Sequence, residues 1–236
     1  MINIFRVLIF FLLLVPVSET TAQQTILAAD NVYGSDQLLY NGRIYTAFYG
    51  NNAENNQYLV CSQFEPGSVT VRGVTFNDLL LNYDIYNQQL LLEYTGNMGS
   101  TFAINVSDAW LETFSIKDKK FRIFPVSDEV NRIYQEIGSD QTRILYFWKK
   151  YLQFDNTSGS SKNSKRTFSN PSREMSLLTD GKIIKYWNNR SFVNLFNPEK
   201  KKEIREYINS RHINLKKASD EIVEQLIIFC NTLEEK

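Results

Sequence analysis

Between residues 37 and 187 the chain repeats one device: a short apolar run rich in Val, Ile, Tyr and Phe, closed by a turn dipeptide. Asn41-Gly42 separates LLY from RIY, and Asp180-Gly181 separates SLLT from KIIKYW. Both dipeptides tolerate the positive φ that a two-residue hairpin turn demands. Arg72-Gly73 and Asp118-Lys119 are weaker versions of the same joint. Strands joined this tightly can pair only antiparallel, because a parallel return needs a long crossover. The device predicts an antiparallel β-meander, curled into a sheet or partial barrel so that one face packs a core.

The period changes after Asn197-Pro198-Glu199, where Asn can accept from open backbone N–H groups and Pro fits the first helical position. Ile204, Tyr207 and Ile208 form one apolar stripe, and Ile222, Leu226, Phe229 or Cys230, and Leu233 form a second. Helices with a single stripe need a surface to cover, and the sheet is that surface. The expected fold class is therefore α+β, with a β domain over 23–189 and two or three packed helices in 190–236. The Ser- and Asn-rich stretch 155–172 has one large apolar residue, Phe168, and reads as a mobile loop.

Residues 1–22 stand apart. Arg6 precedes the apolar run VLIFFLLLVPV, and Thr20 and Ala22 supply the small residues of a signal-peptidase site. The run is short for a membrane span, which takes ~20 residues. The first cysteine is Cys61, so none follows the run closely enough to accept a lipid anchor. The expectation is export through the general pathway to the periplasm or outer membrane, with no transmembrane span in the mature chain.

With 26 basic and 26 acidic residues the chain has no net charge to draw it to nucleic acid. Cys61 falls in strand-like YLVCSQF and Cys230 in helix-like IIFCNTL; a Cys61–Cys230 bridge and two buried thiols both fit. The one histidine, His212, lies in the break between the helices and has no supporting ligand or relay motif. Metal, redox, esterase and phosphate-loop patterns do not occur, so no cofactor is expected.

Two carboxylates, Asp78 and Asp84, sit within GVTFNDLLLNYDIY. As a catalytic pair they would need to approach within roughly 5–9 Å across a cleft. The alternation argues otherwise. Val74 and Phe76 share one parity while Leu79, Leu81, Tyr83 and Ile85 take the other, so a β-bulge is expected at Asn77-Asp78. Asp84 is expected to close the strand by accepting from backbone N–H groups just ahead of it.

Residues 198–217 carry seven basic and three acidic side chains, and 218–235 carry five acidic and no basic ones. Two solvated helix faces account for this segregation. The functional alternative is a patch for an anionic partner, built from Lys149, Lys150, Lys165, Arg166, Lys200, Lys201, Lys202 and Arg205. The aromatic clusters Tyr146, Phe147, Trp148, Tyr151 and Tyr186, Trp187, Phe192 read as core and rim.

GSVTVRGVTFNDLLLNYDIYNQQL over 67–90, then DGKIIKYWNNRSFVNLF, a Lys-rich helix and a final Glu-containing helix together resemble a group of uncharacterised secreted proteins common in Bacteroidetes. Val71 and Phe76 stand where that group would have Tyr. The resemblance implies export in a Gram-negative cell and carries no activity. The functional expectation is a non-enzymatic envelope module that binds a partner protein, lipid or glycan. A lipid or lipoprotein carrier with an apolar cavity and a carboxylate-dependent hydrolase of envelope polymers are the alternatives. Expressed in a Gram-negative host, the chain should be recovered outside the cytoplasm with a mass matching cleavage after Ala22. An intact cytoplasmic chain would show that residues 1–22 do not direct export.

Overall fold

A computed structural model of the chain describes residues 39, 43–46, 53–95, 99–127, 130–139, 141–155 and 165–234. All of them lie in the unit Gln37–Lys236. In chain order the first strands are β1 Arg43–Ile44, β2 Ala53–Glu54, β3 Glu65–Val71, β4 Val74–Asp84, β5 Gln89–Thr95 and β6 Thr101–Asn105. Next come β7 Leu111–Ile116, β8 Lys119–Ser127, β9 Val130–Ile137 and β10 Arg143–Lys149. Then follow β11 Leu152–Asp155, β12 Lys165–Phe168, β13 Ser172–Thr179 and β14 Lys182–Tyr186. Helices α1 Asn189–Val193, α2 Pro198–Ser210 and α3 Asp220–Glu234 close the chain.

Eleven strands form one open antiparallel sheet in the order β1-β6-β5-β4-β3-β7-β8-β9-β10-β13-β14. The fold is α+β, as the turn chemistry and the change of period predict, but the sheet is more than a single meander. β3 to β6 walk in one direction; the chain then returns so that β7 pairs the free side of β3, and β7 to β10 walk the other way. β11 and β12 leave the main sheet and join β2 in a three-stranded one, where β12 runs parallel to β2. The stretch expected to be a loop therefore contains the strand Lys165–Phe168, with Phe168 buried; residues 156–164 lie outside the described residues.

The hairpin joints follow their sequences. Arg72 and Gly73 have φ of 49° and 75°, and Asp180 and Gly181 have 49° and 71°, the left-handed pairs that a tight hairpin requires. Asn41-Gly42 lies outside the described residues. The third joint sits one residue earlier than expected: Lys117 takes φ 54°, Ile116 pairs Lys119, and the turn is Lys117-Asp118.

The parity slip is a bulge. Gly67 pairs Leu79 and Val69 pairs Phe76, so Asn77 and Asp78 together oppose Ser68, and Asp78 has φ 57°. The strand continues through it from Val74 to Asp84. The extra residue returns Phe76 to the same face as Leu79, Leu81 and Tyr83, where all four meet one apolar core. Val74, beyond the cover of that core, is 44% exposed.

Both cores lie on this inward face. One gathers Val69, Leu81, Tyr83, Leu92, Ile104, Phe114 and Phe121 from β3 to β8. The other sandwiches Ile144, Tyr146, Met175, Leu177 and Tyr186 beneath Phe192, Ile204, Ile208, Val223, Leu226, Ile227 and Cys230 of the helical segment. Trp148 packs against both. The α3 stripe runs through Val223 rather than Ile222, which is 41% exposed, while Phe229 stacks on Tyr207 with ring centroids 4.3 Å apart. Asn197 makes no side-chain cap; its backbone oxygen instead accepts from Lys200 and Lys201. The side-chain cap belongs to α1, where Asn188 and Ser191 form a reciprocal capping box.

Gly67 is the most closely packed of the described glycines. A Cβ there would sit 2.1 Å from the Ser115 carbonyl oxygen and 2.8 Å from the Leu81 side chain. Gly67→Ala should lower stability by about 3 kcal/mol, the upper end of overpacking costs. Urea unfolding monitored by tryptophan fluorescence reads it, with Asp78→Gly as a control that relieves a left-handed residue and should be neutral or mildly stabilising.

Candidate functional site

The residues singled out by sequence do not meet at one place. Asp78 is exposed on the bulge. Asp84 is wholly buried on the outward face, covered by the segment around Gln57. Its Oδ1 accepts from the backbone N–H of Tyr86 at 3.0 Å and of Asn87 at 2.8 Å, closing the strand as its position predicts. Its Oδ2 accepts from the Tyr45 hydroxyl and from Asn87 Nδ2, each at 2.8 Å. A carboxylate with four donors and no solvent access is a structural anchor.

Lys150 departs from its expected place in a surface patch. It is 7% exposed and donates to the Asn56 carbonyl at 2.7 Å. Burial pushes its ammonium below the usual lysine range, with the Asp84 charge acting in the opposite sense. Lys149 points the other way, to Glu174. Arg166 is exposed on β12, and the side chain of Lys165 lies outside the described residues. Lys200, Lys201, Lys202 and Arg205 ride on α2, with Lys202 and Arg205 exposed and Lys200 and Lys201 half-buried. His212 is exposed just past α2 with φ 51°. Cys61 and Cys230 are not bridged: Cys230 is in the helical core, and Cys61 Sγ lies 3.7 Å from Glu65 Oε1.

What sequence reasoning missed is a polar seam on the inward face. Register places Lys119 opposite Ile116, Gln135 opposite Phe121 and Tyr146, and Arg173 opposite Trp148, all at inward positions. They converge on Asp220 in the first turn of α3. Lys119 Nζ and Gln135 Nε2 both donate to Asp220 Oδ2, the latter at 2.7 Å, and Arg173 Nη1 lies 3.9 Å from Oδ1. Trp148 Nε1 donates to Gln135 Oε1 at 2.7 Å. Arg173 Nη2 donates to the carbonyls of Leu215 at 3.2 Å and Ala218 at 3.0 Å. The guanidinium lies 4.1 Å from the Tyr146 ring centroid and 5.6 Å from that of Trp148. A sequence signal existed: SREMSLLT puts Arg173 at the parity of Met175 and Leu177, and VNRIYQEI puts Gln135 between Ile133 and Ile137.

Arg173 thereby holds the α2–α3 connection over the end of the sheet, and an open cleft of about 750 Å³ lies beside it. β14 stops at Tyr186 opposite Met175, so residues 172–174 of β13 have β10 on one side and the cleft on the other. Lys216, Lys217 and Ala218 of the α2–α3 connection form one wall, and Trp187, 64% exposed, forms the rim. The Trp187 backbone N–H donates to Ser191 Oγ at 3.0 Å, so the α1 capping box fixes the platform's base. Glu174, the acid of this wall, is held down to about 2 by Lys149 and Lys185, which donate to its two oxygens. Beneath the cleft the Tyr146 phenol is pushed up to about 12 by burial, with Arg173 pulling it back, and burial raises Tyr186 as well. Both hydroxyls are buried without a hydrogen-bond partner among the described residues. A second hollow of about 350 Å³ shares Trp148, Pro171, Arg173 and Ala218 with the first and is bordered by Asp118, Asp220 and Glu221.

Arg173→Met should cost about 3 kcal/mol in urea unfolding, because Asp220 and two carbonyls lose a buried partner. Arg173→Lys should recover only part, since an ammonium cannot serve the fork geometry; full recovery would mean that charge alone holds the seam. Compared with protein-family models, curated proteins and solved structures, the chain finds no match, and the chemistry of this cleft is the ground for a functional reading.

Proposed function

We propose that the chain is an exported, non-enzymatic binding module of the envelope and that its ligand lies in the cleft between β13, the end of β14 and the α2–α3 connection. The observation that carries the reading is the cleft itself: about 750 Å³, with an exposed indole at its rim and a wall fixed by Arg173. Its volume falls in the range of small-molecule sites, and polar groups converge on an aromatic floor. Export rests on the arrangement of residues 1–22.

The two alternatives fit less well. A carrier needs an enclosed apolar space, whereas among the described residues the more enclosed hollow between Leu59, Tyr83, Ile116 and Phe121 holds about 30 Å³, room for a water rather than an acyl chain. The carboxylate pair that the sequence offers a hydrolase does not face a common cleft: Asp84 is sealed by four donors and Asp78 is exposed on the bulge.

Hydrogen exchange tests the location without presupposing the ligand. Soluble polysaccharide and peptide fractions of an envelope extract, added separately, should slow exchange at 172–175, 185–187 and 216–218 with one fraction. Protection confined to the opposite end of the sheet, or none with either fraction, would remove the cleft as the binding site.

A further inference from the structure

Taking the cleft as the ligand site, we infer that its ligand is a carboxylate-bearing oligosaccharide, stacked on Trp187 with its acid groups toward Lys216 and Lys217. The inference rests on the proposed function above and adds the class of ligand.

The cations come first. Arg173 is the most buried of the cleft's positive groups, and its donors are directed at Leu215, Ala218 and Asp220, so it positions the wall instead of meeting a ligand. Lys185 is shared with Glu174. Lys216 and Lys217 are consecutive and exposed on the α2–α3 connection, and neither has an ion-pair partner among the described residues. Glu174 is already matched by two lysines and offers little repulsion to an incoming anion. This end of the cleft is therefore complementary to negative charge.

The aromatic platform selects among anions. Trp187 has a fixed backbone and an exposed ring, and such a face takes the apolar side of a sugar ring at little entropic cost. The neighbouring hollow then separates a sugar from an acidic peptide. Its two cations, Lys119 and Arg173, are both engaged by Asp220, so Asp118 and Glu221 leave it net negative, yet they accept hydrogen bonds from hydroxyl groups. A saccharide supplies hydroxyls there and carboxylates at the lysine end; a polyacidic peptide has no side-chain donors to offer there and brings a carboxylate with every residue.

The test titrates the exported chain with trigalacturonic acid, its fully methyl-esterified form and triglutamate, following tryptophan fluorescence and heat. Trigalacturonic acid should bind about tenfold or more tightly than either comparator, a difference of about 1.4 kcal/mol. Lys216→Gln with Lys217→Gln should weaken it about tenfold, with thermal unfolding unchanged, and binding should weaken as salt rises. Trp187→Ala should abolish the fluorescence change and weaken the heat signal. Equal binding of the methyl ester overturns the charge argument and leaves the cleft reading standing. Equal binding of triglutamate overturns the sugar class. No binding of any of the three overturns the inference, and hydrogen exchange with the envelope fractions then decides separately whether the cleft binds anything.

Discussion

Arg173 is a guanidinium on the inward face of a sheet whose neighbouring inward residues are Met175, Leu177, Tyr146 and Ile144. A cation so placed is tolerable only if acceptors surround it. Two come from the carbonyls of Leu215 and Ala218, a charge comes from Asp220, and the Tyr146 and Trp148 rings supply their π-faces. Asp220 in turn depends on Lys119 and Gln135 from β8 and β9. Five elements are thus tied through one carboxylate and one guanidinium. The apolar helical core supplies the bulk of the attraction between helices and sheet, but it is non-directional. The seam sets where the α2–α3 connection comes to rest, and the cleft exists because of where it rests.

A neighbouring polar cluster solves a different problem with the same means. The outward face of β4 carries Asn82 and Asp84, which would be ordinary surface residues if the segment near Gln57 did not cover them. Asn82 Nδ2 donates to the carbonyls of Cys61 and Gln63, each at 3.0 Å, while Gln57 reaches the Tyr45 hydroxyl that serves Asp84. Lys150 closes the same region through Asn56. Polar groups here fasten an irregular segment that has few ladder hydrogen bonds of its own. The bulge at Asn77-Asp78 is what makes this arrangement consistent, since it assigns Asn82 and Asp84 to one face and Leu81 and Tyr83 to the other.

Local chemistry was legible; placement was not. Arg72-Gly73 and Asp180-Gly181 announce their hairpins because few residue pairs accept that backbone. The parity change after Phe76 announces the bulge because alternation has no other remedy. The Lys117-Asp118 joint was misplaced by one residue, since nothing in KDKK distinguishes a lysine in the turn from one in the strand, and the shift decides that Lys119 faces Asp220. The β3–β7 pairing and the cleft depend on which hairpins lie side by side, a choice made by long-range burial that no single stretch encodes. Lys149 and Lys150 read as one basic pair, although strand geometry sends adjacent residues to different surroundings. The inward polar residues were visible in the alternation, but their partner Asp220 lies far along the chain, 85 residues from Gln135.

The return from β6 to β7 has a consequence for how the chain assembles. Each of the two walks consists largely of neighbouring strands, and such local pairings close quickly, whereas joining β3 to β7 is a long-range pairing that closes a loop containing β4, β5 and β6. Until the helices pack, the inward face of β9, β10 and β13 lacks its cover. During that interval Lys119, Gln135 and Arg173 lie among the apolar residues of a bare sheet and keep it hydrated, which discourages a second chain from settling there. The arrival of Asp220 converts the same three side chains from a guard against wrong partners into the lock that holds the right one.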